Sequence, residues 1–515
     1  MLRHALVLVP LLAAAPAVAA AEGPPNVVVI LADDLGYGDV KCLNPAGKIP
    51  TPNLDRLAAA GMTFTDANAP SGVCSPTRYG LMTGRYAWRS RLKSGVLGGL
   101  SPRLIEPGRR TVAQLLQDRG YHTACVGKWH LGMDWQRKPG RAVTELGIEP
   151  REQVFNVEYD RPIRNGPTAV GFDYFFGISA SLDMVPYAFI ENDRVTADPT
   201  EDRDFPMTFG REAGPRSRKG PAAPGFDAAD VLPALTKKAV AYVGERAKAR
   251  TPFFLYLPLA SPHTPVLPTK EWRSKSRLTP YADFVMATDA AVGEVLAALK
   301  ANNLDGNTLV IVTSDNGCSP MADFPALAKL GHNPNHVFRG AKADIFEGGH
   351  RVPFFARWPG TIAPGSKADR LVCLTDVFAT CAAVSGATLP DDAAEDSVSF
   401  AGAWASPPAA PARTGVVVQS VNGSFAVREG KWKLCLCPGS GGWSVPRPGT
   451  PDEAGLPAVQ LYDLDADIGE TTNVQARHPE VVARLAARLD QWVADGRSTP
   501  GKPQKNTTPV TVRKK

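Results

Sequence analysis

Two apolar runs that each end in carboxylates constrain this chain most. Residues 26–32 lead straight into Asp33-Asp34, and residues 308–313 lead into Ser314-Asp315-Asn316-Gly317. Runs this short and this apolar read as strands covered on both faces, the pattern of a mainly parallel sheet. The surrounding sequence agrees. It predicts a helix over 53–60, a helical stretch over 115–119 feeding a strand over 123–126, a strand over 252–259, and a long amphipathic helix over 281–302 before the 308–313 strand. Such alternation gives an α/β fold whose large, mainly parallel sheet is flanked by helices. Ligands of open parallel sheets bind beyond the carboxyl ends of the strands, so the residues that terminate each run are where chemistry is expected.

At 515 residues, 44% apolar and 21% charged, the chain is globular in composition and too long for one minimal domain. Residues 1–21 hold Arg3, an apolar run over 5–18 and Ala19-Ala20-Ala21, the layout of a secretory signal peptide. Export is therefore expected, to the periplasm or as a secreted protein. No later stretch reaches about 18 uninterrupted apolar residues, so no membrane insertion is expected. The formal charge of +6 falls by one when Arg3 leaves with the leader, a mild excess that suits anionic substrates. No nucleic-acid partner is expected. The eight cysteines (Cys42, Cys74, Cys125, Cys318, Cys373, Cys381, Cys435 and Cys437) lack paired CxxC spacing, which argues against structural zinc. An oxidising compartment allows some to pair, the pairing staying open, and if Cys74 is consumed chemically an odd number remains.

The catalytic domain is expected over 22–385, with a Pro/Gly-rich, charged excursion over 196–226. A smaller C-terminal α+β subdomain is expected over 386–497, with short antiparallel strands over 415–420, 424–428 and 431–437 and a closing helix over 479–493. The tail over 498–515 is polar and basic and reads as disordered.

Asp33, Asp34, Asp315 and Asn316 brought to one sheet edge would form an all-oxygen cluster, which selects a hard cation, Ca²⁺ ahead of Mg²⁺. Either motif alone would read as an ordinary turn or helix cap; their pairing at two strand ends favours metal binding. The runs at 123–126 and 252–259 lead to Lys128 with His130 and to His263, adding a cation and imidazoles to the same edge. Cys74 stands two residues before Pro76, and proline favours the first turn of a helix, so the sulfur is expected at a helix N-terminus with Arg78 four residues on. A lone cysteine is more often an inert buried hydrophobe, and only its neighbours raise it above that.

The run Cys74-Ser75-Pro76-Thr77-Arg78, continuing through Leu81-Met82-Thr83-Gly84-Arg85, resembles the signature of type I sulfatases in the alkaline-phosphatase superfamily. Thr77 stands where Ser or Ala is usual. Further matches in order are 26–34, 127–132, 261–265, 314–317, Arg339-Gly340-Ala341-Lys342 and Leu461-Tyr462-Asp463-Leu464; Ile468 replaces a usual proline. The resemblance implies that a formylglycine-generating enzyme oxidises Cys74 to formylglycine, whose hydrate attacks the sulfur of a sulfate ester. It implies Asp33, Asp34, Asp315 and Asn316 as Ca²⁺ ligands, with Arg78, Lys128, His263 and Lys342 around the sulfate. His263, helped by Lys342, would protonate the leaving alcohol, and His130 would assist release of sulfate.

Ser181 aligns loosely with a family serine near the sulfate, and His336 and His350, which bracket Lys342, are candidates for the substrate pocket with His332. His122 and His478 read as structural. Trp88, Arg89, Arg91 and Lys93, with the 196–226 excursion, are candidates for a sugar-binding rim, which with export points to a sulfated saccharide. Two alternatives stand beside this reading: a phosphoester or phosphonate hydrolase of the same superfamily, and an inactive glycan-binding protein.

Overall fold

The computed structural model describes residues 23–140, 150–249, 251–405, 407–410 and 413–513. The expected signal peptide lies outside them.

The first apolar run forms the strand Asn26–Asp33, and it is the middle of a ten-stranded sheet. Its five central strands are parallel, in the spatial order Thr308–Ser314, Asn26–Asp33, Phe253–Pro262, His122–Lys128 and Tyr174–Ile178. Shorter strands extend both edges, with antiparallel pairing at Phe354–Arg357 and at Ile190–Glu191. Every residue of the Asn26–Asp33 strand is buried, the two-faced cover that its unbroken apolar sequence requires. One face is packed by the helices Val231–Arg246 and Pro280–Ala301, which touch each other, and by Pro52–Ala60. Thr279 caps the long helix by accepting the Ala282 N–H, with Pro280 in its first turn.

Parallel pairing brings the ends of different runs level. Ala32 pairs with Ser314, and Asp33 pairs with Pro262 after a bulge beyond Leu31. The 253 strand runs on through Ser261-Pro262, three residues past the expected end, so His263 leaves it directly.

A second, four-stranded antiparallel sheet runs Gly415–Gln419, Phe425–Glu429, Trp432–Cys435 and Gln460–Asp463, closed by the helix Pro479–Ala494. The fourth strand is the Leu461-Tyr462-Asp463 motif, separated from the others by a loop too long for hairpin patterning to reveal. The apolar cluster behind this sheet includes Tyr86, Trp88, Ile345, Phe346 and Cys373, while Phe400 and Ala403 belong to the main core.

The 196–226 excursion has a short ladder of its own: Glu201–Arg203 pairs with Gly220–Ala222, and Phe205 packs edge-on against Tyr187. One expectation is corrected: the tail, read as disordered, is held down over 498–513. Lys505 carbonyl accepts Arg85 Nη2 at 2.7 Å, Asn506 Oδ1 accepts Arg89 Nη1 at 2.9 Å, Thr507 N–H donates to Arg89 carbonyl, and Val510 and Val512 pack on the second core. These bonds go to buried arginines, while most of the tail's own residues stay exposed. The pairing that the sequence leaves open is answered as well: no disulfide joins the eight cysteines, and only Cys42 is exposed. No helix among the described residues is long and apolar enough to cross a membrane.

Candidate active site

Cys74 opens the helix Cys74–Thr83, with Val73 in extended conformation as its N-cap, so the thiol stands at the helix N-terminus. Arg78, one turn on, donates through Nε and Nη2 to Asp315 Oδ2 at 3.0 and 2.8 Å and through Nη1 to the Lys128 carbonyl at 2.9 Å. That single guanidinium joins the helix to two strand ends. Cys74, Asp33, Asp34 and His263 place one potential ligand atom each within 4.8 Å of one another.

The carboxylates are held by side chains from different loops. Lys128 Nζ lies 2.5 Å from Asp33 Oδ2, and Lys342 Nζ lies 2.7 Å from Asp34 Oδ1. Asn316 Nδ2 donates to Asp34 Oδ1 at 2.7 Å, and Asp34 N–H donates to Asp315 Oδ1 at 3.3 Å. Gly317 lets this loop lie against the next segment, since a Cβ there would stand 1.7 Å from the Gly348 carbonyl. All of these residues are buried.

The electrostatics follow from that burial. For Asp33, desolvation pushes upward, but Lys128, His263, Arg78 and Lys342 together hold the carboxyl well below its ordinary range. Asp315 goes the other way, raised to about 7 by burial and by neighbouring Asp33 against the pull of Arg78. The Cys74 thiol is pushed up to about 12, burial outweighing Lys128 and Lys342. An unmodified Cys74 is thus a thiol at neutral pH and a weak nucleophile.

The imidazoles have defined tautomers. His130 Nε2–H donates to the Leu97 carbonyl at 2.8 Å, leaving Nδ1 as a buried lone pair without a partner. Burial, then Lys128 and Arg78, hold its pKa well below the usual histidine value. His263 Nδ1–H donates to the Thr264 carbonyl at 2.5 Å, which turns Nε2 toward Asp34 at 3.8 Å.

The donor set fits a hard cation. Asp33 Oδ1 and Asn316 Oδ1 are buried oxygens with no hydrogen-bond partner, and they flank the Asp34 carboxylate. Buried acceptors left this way carry a desolvation cost that a coordinated ion would remove. Asp315 has Oδ2 taken by Arg78, so only its Oδ1 is available toward the centre.

A family model described as Sulfatase matches residues 25–387. The chain belongs to the sulfatase family. It is 33% identical over 505 residues to the N-acetylgalactosamine-6-O-sulfatase of Bacteroides thetaiotaomicron, covering 90% of this chain and 92% of that one. It is also 33% identical over 516 residues to human arylsulfatase A, covering 95% and 92%. Among solved structures, one described under the metabolism of multiple glycosaminoglycans by Bacteroides thetaiotaomicron superposes with a TM-score of 0.77 at 32% identity, over 91% of this chain and 99% of that one.

In this sulfatase the remaining candidates separate. Ser181 is buried, its Oγ has no partner, and it lies two residues beyond Ser179, whose carbonyl accepts the His130 N–H. His336 is half-buried and stacked parallel to Tyr37, 6.2 Å between rings. His332 is structural, bonded to Asp39 at 2.9 Å and accepting the Lys48 N–H. The pocket role expected for His350 is not what its surroundings suit: it is fully buried, and the charges beside it are Lys433 and Glu347 rather than Lys342 or Asp34. The rim expected at Trp88 and Arg89 is corrected as well. Trp88 is enclosed in the second core, and Arg89 is bound to both oxygens of Asp396 at 2.8 Å. Sequence reasoning missed the Leu97 carbonyl, which sets the His130 tautomer, and Tyr281, which reaches Asp34 from the long helix. A carbonyl in a glycine-rich loop and one tyrosine near a helix start leave no signal in a single sequence.

Proposed function

We propose that this sulfatase removes sulfate from a carbohydrate sulfate ester of glycosaminoglycan type, using formylglycine made from Cys74 and a bound Ca²⁺. The observation that carries the reading is the pair of orphaned oxygens, Asp33 Oδ1 and Asn316 Oδ1, in a cluster that also holds Cys74 at a helix N-terminus. Glycosaminoglycan chemistry is supported by the acetylgalactosamine sulfatase to which the chain is similar along nearly its whole length. The protein is proposed to be exported, with the formylglycine-generating enzyme as its partner during maturation.

Asp33, Asp34, Asp315 and Asn316 would hold the cation. Formylglycine would supply a nucleophile with two oxygens, and the cation would lower the cost of ionising it and polarise the sulfate. The chain's own residues do the rest. Lys128 and Lys342 place fixed positive charge where the sulfate oxygens gather, in a buried setting that strengthens it. Asp34 keeps Lys342 protonated, raising its pKa against the downward pull of burial. Arg78 fixes Asp315 and the Lys128 backbone, so it orients the cradle. His263 presents Nε2 to the leaving oxygen; burial and Lys342 lower its proton affinity, and an arriving sulfate raises it again, so protonation follows substrate binding. His130 Nδ1 is the acceptor for the proton released as sulfate departs.

The test is sulfate release from defined sulfated saccharides and from a simple aryl sulfate, together with a mass spectrum of the Cys74 peptide. Conversion of Cys74 is expected, as is a fall of about 10²–10³-fold in kcat for Lys342→Ala. A retained thiol in active protein, or preference for an aryl phosphate, would overturn the proposal.

A further inference from the structure

A buried polar chain runs to the back of Asp34. This residue has φ of 67°, a left-handed backbone that a side chain with a Cβ adopts only where its surroundings hold it. Tyr281, second in the helix Pro280–Ala301, reaches it: its hydroxyl proton lies between Asp39 Oδ2 at 2.5 Å and the Asp34 carbonyl at 3.3 Å. Asp39 is saturated in turn. Its Oδ2 also accepts the Gly36 N–H at 2.9 Å, and its Oδ1 accepts His332 Nε2–H at 2.9 Å, while His332 Nδ1 accepts the Lys48 N–H. On its other side the Tyr281 oxygen accepts Cys318 Sγ–H at 3.1 Å, and the Cys318 carbonyl accepts the Lys342 N–H at 2.9 Å. Tyr281 therefore touches both the loop that carries Asp34 and the loop that leads to Lys342, the cation nearest Asp34.

We propose that Tyr281, backed by Asp39 and His332, is a positioning residue that sets the Asp34 carboxylate for the cation and registers Lys342 against it. No part of Tyr281 need touch substrate. The inference rests on the cation-site reading above, and the experiment separates the two. Chelator-stripped full-length protein is titrated with CaCl₂ by calorimetry, and its thermal midpoint is followed with and without the ion. Wild type is expected to bind Ca²⁺, and Tyr281→Phe to bind it about 10-fold more weakly, as loss of an outer-shell partner does, with unchanged far-UV circular dichroism. Should Tyr281→Phe fail to fold, His332→Phe, which cuts the same chain one link further out, is read in its place and is also expected to bind Ca²⁺ more weakly. Wild type that binds no Ca²⁺ would remove the cation reading itself. Wild type that binds, beside a folded variant that binds equally well, overturns the positioning role alone.

Discussion

Two buried clusters in this molecule have the same charges and opposite uses. Around Cys74, Asp33, Asp34 and Asp315 face Arg78, Lys128 and Lys342; where the antiparallel sheet docks, Asp66, Glu347 and Glu470 face Arg351, Arg428 and Lys433. Composition and burial do not distinguish them, but the pairing of the carboxylate oxygens does. In the docking cluster both Asp66 oxygens take Arg428, at 2.6 and 2.7 Å, and Glu347 takes Arg351 at 2.5 Å and Lys433 at 3.0 Å. Glu470 takes Lys433 at 2.9 Å and the Glu347 N–H at 2.6 Å. Around Cys74, by contrast, the oxygens Asp33 Oδ1 and Asn316 Oδ1 have no hydrogen-bond partner. A closed set of charges joins two parts of a fold; an open set of acceptors is built for something that is not protein.

Substitutions should therefore fail in opposite ways. The largest effect is expected from Cys74→Ala: sulfate release falls by about 10³-fold or more, while the urea midpoint stays near that of the parent. Near-normal turnover in that variant would break the comparison on its catalytic side. Next comes Lys433→Ala, which leaves Glu347 and Glu470 buried together without their shared cation. Breaking a buried pair from one side costs about 3–5 kcal/mol, so the unfolding midpoint should drop sharply while turnover per folded molecule is kept. A variant as stable as its parent but catalytically impaired would mean that the docking cluster serves the chemistry.

The sheet was legible because both-face burial demands unbroken apolar runs, and those runs name their own ends: Asp33, Lys128, His263 and Asp315 all stand at or just beyond a strand terminus. Cys74 was legible because its proline and arginine follow at fixed spacing on one helix. What escaped depends on contacts between distant segments. Nothing local tells that Arg89 meets Asp396 or that Tyr281 meets Asp39, 307 and 242 positions away. The tail misled for the same reason. Its composition is that of a solvated end, and its partners, among them the buried Arg85 and Arg89 and the carboxylate of Asp391, lie far back in the chain. Histidine was the hardest type: His130, His332 and His350 are all buried, and only the partners of each ring separate proton acceptor from brace.

His350 offers the finest test of the comparison, because the sequence assigned it to substrate and the structure surrounds it with the docking cluster. Burial foremost, then Lys433, lowers its pKa to about 3 from an ordinary 6.5, with Glu347 opposing. Between those values the unfolded chain binds a proton that the folded one does not. Stability from this group is thus complete above about pH 6.5 and is lost as pH falls toward 3, at about 1.4 kcal/mol per unit. His350→Phe removes the titration and keeps a ring in the space. Compared between pH 7 and pH 5 by urea unfolding, the parent should lose about 2 kcal/mol more than the variant, and KM for a sulfated saccharide should match at both pH values. An unchanged pH slope together with a raised KM would return His350 to the substrate surface and place part of the docking cluster within reach of the sugar.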